Sequence, residues 1–142
     1  MAVRDFAYHS RRFADPARRA EVATQLSRLD SFRSLQTGWD SYEAEPPNET
    51  ALENARQVLL LFMESESSLP VRVAPSAEGG VALIFSKGDS SKYADIECFN
   101  DGEILAITSK PAQEPTIWPL TLDEEAPSYT HLVRFCMDRS SL

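Results

Sequence analysis

Asp40, Glu43 and Glu45 stand together in the stretch Gly-Trp-Asp-Ser-Tyr-Glu-Ala-Glu-Pro-Pro, between two helical patterns. Converging carboxylates are what a hard divalent cation or an acid–base pair requires. A metal-dependent hydrolase is the chemistry this loop could support. No histidine or nucleophile accompanies the three acids, however, and Glu45 precedes the rigid pair Pro46 and Pro47. The favoured reading is architectural. Gly38 stops a helix, Trp39 and Tyr42 plug the loop into the core, and Asp40 accepts backbone N–H bonds in a turn.

Other routes to catalysis are thinner. Cys98 and Cys136 lie in apolar patterns without a neighbouring histidine, and no Gly-x-Ser-x-Gly elbow occurs. His9 and His131 are scattered, and two Cys with two His so widely spaced make no zinc pattern. Residues 78–80 and 100–102 carry hairpin glycines rather than a phosphate-binding pattern. The segment 87–92 could contact an anion, though a solvated loop explains it equally well. No catalytic residue, metal site or cofactor is expected.

Charge points elsewhere. Of the net −8, residues 1–36 contribute +3 from seven arginines against four acids, and the remainder −11 from seven basic against eighteen acidic residues. An acidic body repels phosphate, so nucleic acid is a poor partner for most of the surface. Arg4, Arg11, Arg12, Arg18 and Arg19 would carry any nucleic-acid contact, but a solvated helix face accounts for them. No apolar run reaches the roughly 20 residues of a membrane span. The first residues lack an apolar core like that of a signal peptide, so a cytoplasmic protein is expected.

The elements that must position these groups follow from periodicity. The 142 residues suit one α+β domain, with 1–14 as an irregular arm anchored by Phe6, Tyr8 and Phe13. Asp15-Pro16 opens a helix whose stripe is Ala20, Ala23, Leu26, Leu29, Phe32 and Leu35, ended by Gly38. Asn48 caps a second helix, with Leu52, Ala55, Leu59, Phe62 and Met63 on its buried face. After Pro70 the period becomes 2, giving strands at 71–74, 81–85, 93–99 and 103–109. An apolar piece at 117–120 and a last helix through Tyr129, Leu132, Val133, Cys136 and Met137 complete the chain. The expected fold is an antiparallel four-stranded meander packed by two N-terminal helices and one C-terminal helix.

For the 93–109 hairpin a two-residue turn would pair Cys98 with Leu105 and Ile96 with Ile107 on the helix face. Asp95 and Glu97 would then project from the opposite face, with Glu103 opening the next strand. Plain solvation explains an acidic outer face, but such a face could also bind a basic partner.

The succession Gly38-Trp39-Asp40-x-Tyr42-x-Ala44-x-Pro46-Pro47, Leu69-Pro70-x-x-Val73-x-Pro75 and Gly79-Gly80-Val81-x-Leu83 resembles a group of small, mostly uncharacterised bacterial proteins sharing that loop. The resemblance covers about residues 30–108. It implies no activity, but a mobile-element or defence-type gene, one half of a toxin–antitoxin or inhibitor pair. Together the residues and the resemblance lead to the expectation of a non-enzymatic module that binds a protein with a basic surface. Asp95, Glu97, Glu103, Asp40, Glu43 and Glu45 are its candidate contacts, and nothing in the sequence fixes an oligomeric state.

Overall fold

The computed structural model describes residues 15–40, 42–65, 68–85 and 92–137. The expected arm at 1–14, with Arg4, His9, Arg11 and Arg12, and most of the 87–92 loop lie outside the described residues. Among the described residues three α-helices and one five-stranded antiparallel sheet make an α+β fold. The helices are α1 (Pro16–Ser31), α2 (Glu49–Met63) and α3 (Pro127–Met137). The strands are β1 (Arg72–Ser76), β2 (Gly80–Ile84), β3 (Tyr93–Phe99), β4 (Ile104–Ser109) and β5 (Thr116–Pro119), in that spatial order.

Helix α1 starts where expected, with Asp15 Oδ1 accepting from the Ala17 and Arg18 amides. It ends seven residues short of Gly38, in a 3-10 turn over Phe32–Ser34. Ser31 and Ser34 donate their hydroxyls to the Arg28 and Ser31 carbonyls, the local competition that loosens a helix end. Its buried face is also rotated. Val22, Gln25, Leu29 and Phe32 are inside, whereas Ala20 and Ala23 are exposed. The long polar side chains explain the shift: Gln25 Nε2 donates to Pro70 O at 3.1 Å and Arg28 Nε to Val73 O at 2.9 Å. Arg18 Nε donates to Met63 O at 3.0 Å, and its other nitrogen reaches Phe62 O. An arginine that could have met nucleic acid instead satisfies the last carbonyls of α2.

Helix α2 is the centre of the core. Ala51, Ala55, Val58, Leu59 and Phe62 are fully buried, and Phe62 meets the rings of Phe85 and Tyr129 at 5.1 and 5.3 Å. Val73, Leu83, Ile96, Ala106 and Trp118 lie in one row across the sheet on the face toward α2.

Two corrections to the expected sheet matter. First, the apolar piece at 117–120 is a fifth strand, pairing Ala106 with Trp118 and Ile107 with Ile117. Leu120 N–H bonds inward to Ile104 O, so by alternation the amide positions of 115 and 119 face outward, and both are proline. Second, the β3–β4 register is one residue away from expectation, with Cys98 opposite Ile104, Ile96 opposite Ala106 and Glu97 opposite Leu105. Phe99 N bonds to Glu103 O, leaving a three-residue loop of Asn100, Asp101 and Gly102, with Gly102 at φ 96°. The left-handed glycine admits an extra residue that a two-residue turn would not.

Candidate interaction site on the open sheet face

The 38–48 loop closes with Gly38 N bonded to Ala44 O at 2.9 Å. Gly38 sits at φ 83°, where an added Cβ would press on Tyr42 O at 3.0 Å. Asp40 Oδ1 accepts from the Tyr42 amide at 2.9 Å and the Ala44 amide at 3.4 Å. That carboxylate is therefore committed to folding the loop. Trp39 is half-buried, its Nε1 donating to Glu45 O at 3.3 Å. Tyr42 is 81% exposed, against the expectation that it plugs the core. Closure of the Gly38–Ala44 turn puts it at the tip, and Ala44 and Pro47 are the buried anchors instead. Pro46 is half-buried, its carbonyl accepting from Asn100 Nδ2 at 3.1 Å. Asn48 completes the dock: its amide donates to Asn100 Oδ1 and its Nδ2 to Asn100 O, both at 2.9 Å.

Glu43 and Glu45 are exposed. Among the described residues, no three of His, Cys, Asp and Glu are placed to hold a metal ion. Cys98 is buried, its thiol pushed up to about 12 by burial and then by Glu97. A thiol held protonated is a poor nucleophile. His131 is exposed, edge-on to Trp118 with ring centroids 4.6 Å apart.

The sheet face away from the helices is different. The register places Asp95 between Ile84 and Ile107, and Glu97 between Ala82 and Leu105. Those rows continue to Arg72 and Ala74 on β1 and to Ile117 and Pro119 on β5. The described helices pack on the other side: α1 through Val22, Leu29 and Phe32 in the core with Val73 and Leu83, α2 through Phe62 on Phe85, and α3 through Tyr129 and His131 on Phe62 and Trp118. Ile117 is 58% exposed. The two carboxylates thus sit in an apolar frame rather than the polar surface that ordinary alternation would give.

Asp95 is only 6% exposed. Its Oδ2 accepts a hydrogen bond from the Tyr93 hydroxyl, while its Oδ1 is buried with no hydrogen-bond partner. Burial raises its pKa, opposed by the Tyr93 bond. Burial and then the charge of Asp95 push Glu97 up to about 7, although the Ser76 hydroxyl bonds to it. Tyr93 is raised as well, by burial and by its bond to Asp95. Glu103 is exposed in the adjoining turn, and Asp101 Oδ1 accepts from its amide at 2.9 Å. Asp95 and Glu97 are thus brought together, whereas Asp40, Glu43 and Glu45 belong to a separate loop. Tyr93 and Ser76 were missed by sequence reasoning; Tyr93 could have been found two residues before Asp95 on the same strand face, whereas Ser76 lies two strands from Glu97, beyond Gly80, and left no local signal.

Comparison of the chain with protein-family models, curated proteins and solved structures finds no match in any of the three. No helix of the described residues is long and apolar enough to cross a membrane.

Proposed function

We propose that this protein is a non-enzymatic protein-binding module, antitoxin-like or inhibitor-like, which engages a basic partner through its acidic surface. The observation that carries the reading is the pair Asp95 and Glu97, set in an apolar sheet face that no described helix covers. An apolar patch with charge at its centre supports specific association better than solvation alone. The −11 balance after residue 36 would draw in a positively charged partner. Exposed Glu43, Glu45 and Glu103 add to that field. The resemblance of about residues 30–108 to a group of small, mostly uncharacterised bacterial proteins implies a role of the same kind, one half of a toxin–antitoxin or inhibitor pair. A hydrolase built on 40–45 finds less support, because Asp40 is spent on backbone amides.

Co-purification from the native host at low salt, followed by native mass spectrometry, tests the proposal. A stoichiometric complex with a basic protein is expected. A strictly monomeric species with nothing captured would overturn it.

A further inference from the structure

On the reading of this face as a docking surface, we infer that Tyr93, Asp95 and Glu97 form a receptor for one lysine side chain carried on an apolar-flanked segment of the partner. The argument begins with Asp95 Oδ1, a carboxylate oxygen buried without a donor. An unsatisfied buried acceptor is costly, more so when it is charged, and an arriving N–H that displaces the side chains over it would satisfy it. Residues 95 and 97 lie on the same face of β3 with Cα atoms about 6.7 Å apart, so one cation can sit between their carboxylates.

The free valences select its shape. Tyr93 occupies Asp95 Oδ2, and Ser76 already donates to Glu97. A guanidinium needs both oxygens of one carboxylate for its paired bonds, whereas an ammonium donates singly to several acceptors. The single vacant oxygen on Asp95 therefore favours lysine. The surroundings fit its stem: Ile84, Ile107 and Leu105 line the approach, and Ala82 and Ala74 leave room beside Glu97. The cation on this face nearest in register is Arg72, two strands from Asp95, and it leaves Asp95 Oδ1 without a hydrogen-bond partner. Burial that disfavours both carboxylate charges is the cost a bound ammonium would remove.

The test is an NMR titration of the isotopically labelled full chain with the peptide acetyl-Thr-Ile-Lys-Val-Thr-amide and its norleucine and arginine counterparts. The lysine peptide should shift the Asp95 and Glu97 carboxyl carbons and the Ile107 and Leu105 methyls saturably. It should bind at least tenfold tighter than the norleucine peptide and tighter than the arginine one. The Asp95→Asn/Glu97→Gln double variant, which removes charge without changing shape, should lose at least tenfold in lysine-peptide affinity while keeping its folded spectrum. Equal binding of the norleucine peptide, tighter binding of arginine, no saturable shift, or an unaffected double variant would each overturn the inference. The parent reading fails separately. If a basic partner co-purifies and the double variant still captures it, the lysine receptor falls but the binding role stands; if nothing is captured, the role itself falls.

Discussion

At the scale of single residues, carboxylates in similar sequence settings have opposite duties. Asp40 holds its loop by accepting two amides, so Asp40→Ala should cost about 1 kcal/mol, read as a lower urea midpoint at unchanged slope. Glu97 instead weakens the fold when ionised. Its folded pKa of about 7 lies above the ordinary 4.5, so the folded state binds the proton more tightly than the unfolded chain. The resulting stability is fully present below about pH 4.5 and is lost as pH rises through 7. Discounted for partial exposure, the loss is about 1–2 kcal/mol. Glu97→Gln should therefore be more stable than the parent at pH 8, with a flatter stability profile between pH 5 and 7.5. Thermal melts across that range check it. Trp39, only half-buried, should cost about 1–2 kcal/mol on truncation to alanine, well below the 3–5 of a core aromatic such as Phe62.

At the scale of elements, the tightest constraint is the approach of β2 to β3. A Cβ on Gly80 would stand 2.1 Å from Cys98 O, so Gly80→Ala must push the paired strands apart. Roughly 3 kcal/mol or more of destabilisation is expected, with loss of amide-exchange protection along 80–84. This region also shows what the sequence could and could not reveal. The two-period pattern located β3 at Tyr93–Phe99, and proline and asparagine set the start of α2, because backbone chemistry there is local. The β3–β4 register escaped because Asn-Asp-Gly can close a loop of two residues or three, and hydrophobic sorting then chose a polar outer face. What decided it is non-local: Asn100 N–H bonds to Gly79 O and its side chain to Pro46 and Asn48, contacts absent from the pattern of 93–109. The same choice hid the candidate site. Asp95 and Glu97 looked like solvated charges, whereas the true register surrounds them with Ile84, Ile107 and Leu105. Tyr42 was misread for a related reason, since loop closure rather than residue type decides which aromatic turns outward.

At the scale of the whole molecule, positive and negative charge are segregated along the chain, and association with a basic partner should depend on ionic strength chiefly through its on-rate. Stopped-flow mixing with the captured partner at rising salt should show a steep fall in association and a nearly constant dissociation rate. The open face also has to be reconciled with the sheet's two margins. Arg28 occupies a carbonyl of β1, and Pro115 and Pro119 remove the outward amides beside Ile117 on β5. A neighbouring strand arriving edge-on finds a carbonyl of β1 already taken and two of the outward amides missing beside Ile117, so edge-to-edge growth is disfavoured at both margins. If the proposed binding role holds, that protection matters for the free protein, whose edge strand β5 carries the exposed Ile117. Replacing Pro119 with threonine should restore a donor and a β-forming side chain at once. Concentration-dependent thioflavin fluorescence in the variant, absent from the parent, would register the result.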